Sequence, residues 1–294
     1  INARRSLELT ERMRDKSKKG TLIWVLDNTS TSMGGRLLRR WINDPLLDEN
    51  QINKRLNAVE NLKNDFILRG DIKETLRKVY DIERLAGKIS YGNANARDMI
   101  SLRNSLSNLP ELKQVLSMTT SSLLKDLHQR LDVLSDIHKL IDDAIVEEPP
   151  ISVKEGGIIK PGFNEEIDSY RNASTEGKNW IIALEAKEKE LTGIKNLKVG
   201  YTRVFGYYIE ITKSFLNQVP DRYVRKQTLT GAERYITEEL KQLEEKTLGA
   251  QEKLIDLEYK VFQEIRTQIS SQIQRIQKTA NIVSILDVLS SFAT

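Results

Sequence analysis

Two stretches of this chain step their apolar residues by three and four in strict alternation, and a segment with a two-residue period lies between them. Ile167, Tyr170, Ser174, Gly177, Ile181, Leu184, Glu188 and Leu191 form the first stretch. Leu240, Leu243, Thr247, Ala250, Leu254, Leu257 and Val261 form the second, and Ile265, Ile269, Ile273 and Ile276 continue it with a drift. Such alternation is the seam of paired helices. Ser174, Gly177 and Glu188 are weak residues for a seam. At about 1.5 Å per residue, a helix of about 30 residues is roughly 45 Å long, so paired antiparallel arms would hold the intervening segment far from the rest of the chain.

That segment, about 195–237, carries Val199, Tyr201, Arg203, Phe205, Tyr207, Ile209 and Ile211 on one alternating face, the pattern of a half-buried strand, with Gly206 as an expected bulge. Further strands are expected over Tyr223–Leu229 and near Glu233–Thr237. The expectation is a small antiparallel sheet at the tip of two helical arms. Its aromatics Tyr201, Phe205, Tyr207, Tyr208, Phe215 and Tyr223 could stack on bases, but their alternating spacing suits a small core better.

Elsewhere the spacing is helical. Asp27-Asn28-Thr29-Ser30 can cap a helix over Met33–Asn43, which Asp44-Pro45 stops because proline donates no N–H and keeps its predecessor out of the α region. Further helical stripes cover Glu49–Asn64, Ile67–Ala86, Ala94–Leu106, Leu109–Met118 and Leu123–Ile145, and read together as an irregular bundle. Glu147-Glu148-Pro149-Pro150 and the glycine-rich Glu155–Phe163 break the pattern. The fold class is therefore mainly α. The expected divisions are 1–163 for the first part of a helical domain, 164–249 for the arms with their sheet, and 250–294 for the returning helix.

The absence of cysteine removes disulfides, thiolate catalysis and cysteine-ligated zinc, and two isolated histidines, His128 and His138, leave little for imidazole chemistry. Each reads as an ordinary residue of a polar helix. Asp142-Asp143 with Glu147-Glu148 reads as a solvated helix end rather than a metal cluster, and no metal is expected. A phosphate loop is absent too, since Gly34-Gly35-Arg36, Gly87-Lys88 and Gly177-Lys178 all lack the required G-x-x-x-x-G-K spacing before Ser or Thr. No apolar run approaches a membrane span, so a soluble intracellular protein is expected. The first residue is not Met, so a piece of a longer chain is expected.

The net charge of +4 is modest, but 195–234 holds eight basic and three acidic residues, a local +5 that leaves −1 for everything else. A basic excess beside hydroxyl and amide side chains is what contacts to a phosphate backbone require. Lys and Arg also keep an exposed sheet soluble and discourage edge pairing, so charge alone favours DNA only slightly.

Longer motifs decide more. Leu26-Asp27-Asn28-Thr29-Ser30-Thr31-Ser32-Met33-Gly34-Gly35-Arg36-Leu37-Leu38-Arg39-Arg40-Trp41-Ile42-Asn43-Asp44-Pro45-Leu46 resembles the opening of the core domain of the MutS family of mismatch-recognition ATPases. Asp81-Ile82-Glu83-Arg84-Leu85 and Asn93-Ala94-Asn95-Ala96-Arg97-Asp98 are similar to the same core. Val199-Gly200-Tyr201-Thr202-Arg203-Val204-Phe205-Gly206-Tyr207-Tyr208-Ile209-Glu210-Ile211-Thr212-Lys213-Ser214, with Arg225-Lys226-Gln227-Thr228-Leu229 and Ala232-Glu233-Arg234-Tyr235-Ile236-Thr237, resembles that family's clamp. Gly231 departs from the Asn common in the clamp turn. The resemblance implies a helical core, two long lever helices and a β clamp that closes on duplex DNA. It also implies that mismatch reading and ATP hydrolysis belong to further domains, with ATP and Mg as cofactors of the longer protein and none for this stretch.

The resemblance further implies a homodimer, a MutL-type partner, and the bacterial cytoplasm with its nucleoid. No enzymatic activity is expected of this chain. Expected contacts to the DNA backbone are Lys213, Ser214, Arg225, Lys226, Gln227 and Thr228, with Asn217, Arg222 and Arg234 as weaker candidates. Two other roles suit the same residues: a scaffold whose arms bind a protein, and an RNA-binding helical arm.

Overall fold

The computed structural model describes residues 6–202 and 204–294. Arg203, expected on the alternating face, lies outside the described residues. The chain divides into two compact units, Ile1–Val153 with Phe262–Thr294, and Lys154–Val261.

The first unit is a helical bundle. Its helices are α1 (Leu22–Leu26), α2 (Ser32–Asn43), α3 (Glu49–Asn64), α4 (Phe66–Arg77), α5 (Ile82–Ser90), α6 (Ala96–Leu106), α7 (Leu109–Leu116), α8 (Ser122–Arg130) and α9 (Ser135–Ala144). Thr31, Asp48, Asp65, Asp81 and Asn95 start five of them, each side chain accepting a hydrogen bond from the backbone N–H three residues on. Two expected stripes prove to be pairs of helices. Ile67–Ala86 breaks where Asp81 caps α5, and Leu123–Ile145 breaks where Leu134 adopts a left-handed φ of 52°. Apolar spacing persists across both breaks because both flanking helices face one core.

The last helix of the chain (Ile273–Phe292) is buried on nearly every side from Ile282 onward and packs against α2, α3, α4, α5 and α8. A helix without a polar face belongs inside a bundle. Its one carboxylate, Asp287, is fully buried. Asp287 Oδ1 accepts from the Ser30 N–H at 2.8 Å, while Oδ2 accepts from the Thr31 N–H at 2.8 Å and Oγ1 at 2.7 Å. It thereby organises the residues that lead into α2. Burial raises its carboxyl above the ordinary range, against those three hydrogen bonds.

The acidic cluster at the end of α9 is held by Arg103, whose guanidinium reaches Asp142 Oδ1 at 2.9 Å and both Glu147 oxygens at 2.7 Å. Among the described residues no group of three or more His, Asp and Glu could hold a metal ion. His128 and His138 sit half-buried on α8 and α9. No described helix is long and apolar enough to cross a membrane.

In the second unit, α10 (Glu165–Thr192) and α11 (Glu238–Ser271) pair antiparallel, while α11 itself extends past the unit boundary. Asn164 caps α10 and Gly193, with φ 70°, ends it; Thr237 accepts from the Leu240 N–H to begin α11. The pairing follows the expected seams as far as Glu188, whereas Leu191, expected to continue the first, is exposed. Lys187 Nζ meets Glu239 at 2.9 Å near one end, and Gly177 lies so close to Thr247 that a methyl group there would fall 2.2 Å from Oγ1. The drifting continuation of the second seam is divided between two helices: Ile265 and Ile269 still belong to α11, which ends at Ser271, and Ile273 and Ile276 open α12 (Ile273–Phe292).

Between the arms run β1 (Lys198–Thr202), β2 (Gly206–Thr212), a 3-10 turn (Lys213–Gln218), β3 (Val224–Thr228) and β4 (Ala232–Ile236), forming one antiparallel sheet in the order β1-β2-β4-β3. The run from Val199 to Ile211, expected as one strand, is a hairpin, since Thr202 pairs with Gly206 and Tyr201 with Tyr207. Gly206, with φ 72°, starts β2 instead of bulging. A two-residue period survives a hairpin whose turn keeps the parity of its strands, which is why one strand was expected. The register shift lies between Arg225 and Gln227.

Ile194, Leu197, Ile209, Ile211, Tyr223, Tyr235 and Ile236 are buried with Leu184 of α10 and Leu240 of α11 in one core. A fully buried side chain of this size stabilises by about 1.5–3 kcal/mol. The sheet is thus anchored to the ends of both arms.

Candidate nucleic-acid interface

The hydrophobic core takes one face of the sheet and leaves its β3 edge and its polar face for chemistry. Lys226 stands where β3 slips register against β4, so one extra residue of this edge strand is pushed outward. Arg225 and Thr228 flank it, both exposed. The backbone N–H of Lys213 donates to the Gly231 carbonyl at 3.1 Å, which sets Lys213 and Ser214 beside the β3–β4 turn. Asn217 is exposed on the 3-10 turn. Among the described residues, the side chains of Lys213, Ser214, Asn217, Lys226 and Thr228 make no hydrogen bond or ion pair.

Arg222, Gln227 and Arg234 are committed within the protein. Arg234 Nε donates to Glu210 at 2.9 Å, and its Nη1 donates to Gln227 Oε1 at 3.0 Å. Its guanidinium lies 4.1 Å from the centre of the Tyr208 ring, which itself lies over Gly200, where a Cβ would fall 2.7 Å from the ring. Gln227, Arg234 and Tyr208 form a stack that stiffens the polar face. Arg222 is paired with Glu188 of α10. Arg225 is intermediate, with Nη1 3.5 Å from Glu233 and its side chain 63% exposed.

Glu233 also accepts from the Tyr235 hydroxyl at 2.5 Å. Burial, then that hydrogen bond, pushes the tyrosine up to about 12, so it remains a donor at neutral pH. The aromatics divide as well. Tyr208 and Tyr223 are buried, Tyr207 and Phe215 pack at the core's margin, and Tyr201 is 48% exposed with its ring 4.9 Å from Tyr207. Phe205 lies outside the strands, in the β1–β2 turn.

The amino-acid sequence matches a known family. The model of MutS domain III covers residues 2–293. The chain belongs to the MutS domain III family. A DNA mismatch repair protein MutS of Clostridium botulinum (strain Langeland) is 58% identical over 295 residues, taking in 100% of this chain and 32% of that protein. The MutS of Caldanaerobacter subterraneus subsp. tengcongensis is 58% identical over 292 residues, taking in 99% of this chain and 34% of that protein. The chain therefore spans about a third of the length of the curated relatives it matches.

Within this domain III, the residues that composition failed to flag are acidic. Glu210 and Glu233 each hold one basic residue of the sheet, and Glu188 holds Arg222 just before β3. Only Glu188 left a trace, as a carboxylate in an apolar seam position.

Proposed function

We propose that this domain grips the phosphate backbone of duplex DNA through the exposed end and β3 edge of its sheet, without reading bases. The observation that carries the reading is the gathering of uncommitted polar side chains there: Lys213 and Ser214 beside the β3–β4 turn, and Lys226 and Thr228 on the edge strand. The lysines supply charge, and the hydroxyls supply oriented hydrogen bonds that ignore sequence. The relatives' description as mismatch repair proteins agrees with it.

In the longer protein, the arms would transmit motion between DNA and an ATPase domain outside this sequence. Paired helices suit that role because they pivot with little internal deformation, and α11 belongs to both compact units. We assign ATP and Mg to the longer protein, since this sequence carries no phosphate loop, and expect no ATP turnover here. A homodimer, a MutL-type partner and a bacterial nucleoid setting belong to the same proposal.

Fluorescence anisotropy of a fully paired duplex, titrated at several salt concentrations, tests it. With about three phosphates neutralised, by Lys213, Arg225 and Lys226, the log–log salt slope should be near −2.7, at a Kd of roughly 10⁻⁴–10⁻⁶ M. Arg225→Ala/Lys226→Ala should bring the slope to about −0.9 and weaken all duplex sequences alike. Losses confined to some sequences, or a slope that does not change, would refute backbone gripping. Structured RNA that outcompetes duplex would favour the RNA-arm reading.

A further inference from the structure

We infer that Glu188 is a positioning residue for this phosphate grip: through Arg222 and Tyr223 it fixes how the β3 edge is presented, and Arg222 itself contacts no phosphate. The inference rests on the backbone-gripping reading above. Glu188 projects from α10 with only 3% of its side chain exposed. Its Oε2 accepts from Arg222 Nη2 and, at 2.7 Å, from the Tyr223 hydroxyl. The Arg222 guanidinium also lies 5.5 Å from the centre of the Tyr223 ring, and that ring packs in the sheet's core, 5.9 Å from Tyr235.

Three features make this more than packing. A carboxylate at a buried seam position loses its hydration, and an Arg222 side chain that is 48% exposed offsets that only in part; leucine would join the arms more simply. The clasp ends one residue before Val224 opens β3, an edge strand bonded only to β4. Such a strand, already slipped in register at Lys226, takes its position from whatever pins its two ends. At the Val224 end that is Glu188, and toward the other end it is the Arg234–Gln227 hydrogen bond.

The pairing also neutralises Arg222, so it has no charge to spare for a phosphate. Burial, then Glu188, raises the Tyr223 hydroxyl above its ordinary value, which keeps it a donor to the carboxylate at any working pH.

Salt titrations of the 294-residue chain separate positioning from contact, because losing a phosphate contact changes the slope and misplacing the strand does not. Glu188→Gln and Arg222→Ala should each raise Kd roughly three- to tenfold at every salt concentration, with the double variant no worse than the weaker single. Both should keep the wild-type slope. Tyr223→Phe, which retains the core ring, should act in the same direction, at least about twofold. Without DNA, amide hydrogen exchange over Val224–Thr228 should quicken in Glu188→Gln.

A slope shallower by about 0.9 in Arg222→Ala, with Glu188→Gln unaffected, would show Arg222 on a phosphate and overturn the inference alone. Unchanged Kd and exchange in Glu188→Gln would overturn it too. A wild-type chain with no salt-dependent duplex binding would overturn the gripping reading and this inference with it.

Discussion

Replacing Glu258 with alanine should cost the unit formed by 154–261 about 3 kcal/mol, the lower end of the range for breaking a buried charge pair. Glu258 is fully buried on α11 and holds three donors. Oε2 accepts from the backbone N–H of Gly157 and, at 3.3 Å, of Ile158, while Oε1 accepts from Arg171 Nη2 at 3.0 Å. The glycine-rich loop is thereby fastened to both arms at once. Without the carboxylate, two amides lose their acceptor and a guanidinium only 27% exposed loses its main buried partner. Asp168, 2.5 Å from Arg171, and the Ile159 carbonyl at 2.9 Å remain, which is why the low end applies.

Trp180 gives this unit its own reporter, since Trp24 and Trp41 belong to the other unit. In a Trp24→Phe/Trp41→Phe background, urea unfolding followed by Trp180 emission should show its midpoint fall by about 1–1.5 M, for a slope of roughly 2–3 kcal/mol/M. Glu258→Gln, which can still accept once, should fall about half as far. A midpoint that moves by less than about 0.3 M would show that the loop is held by other contacts.

The arms and the sheet were legible because each rests on a local period that a few residues reveal: three-and-four spacing from Ile167 to Leu191 and from Leu240 to Val261, and two between them. The sharing of roles within the sheet was not. Charge counting treats Arg222, Arg225, Lys226 and Arg234 alike, whereas carboxylates 34 and 24 residues away in sequence commit Arg222 and Arg234 to the fold. Such pairings appear only when the chain is folded. The stripe from Leu123 to Ile145 misled for a related reason: one core face can be served by two helices, and a leucine at positive φ announces no break in its own composition. Likewise Asp27-Asn28-Thr29-Ser30 read as the cap of α2, whereas Thr31 caps it, and Asp287, which accepts from the Ser30 and Thr31 N–H groups, lies more than 250 residues further on.

Asp287 also explains why Gly34 must be glycine, and makes Gly34→Ala the most informative substitution in the bundle. In an open helix, alanine for glycine stabilises by about 1 kcal/mol. Here a Cβ on Gly34 would lie 2.1 Å from Asp287 Oδ2 and 2.8 Å from its Cβ, so the carboxylate or the helix must yield. Either movement disturbs the hydrogen bonds to Ser30 and Thr31 that seat α2 on α12. Overpacking of about 1–3 kcal/mol and the loss of charge-assisted bonds at about 1.5–3 kcal/mol each outweigh the helix gain, for a net loss of roughly 2–4 kcal/mol. Gly35 is the internal control, because a Cβ there meets only Thr29 Oγ1 at 3.4 Å, an ordinary contact. Gly35→Ala should be neutral or stabilising by up to about 1 kcal/mol. Thermal unfolding of the 294-residue chain should place Gly34→Ala roughly 5–15 °C below Gly35→Ala. Equal melting temperatures would mean that the Asp287 carboxylate can leave its seat freely, and that the start of α2 is held by Thr31 alone.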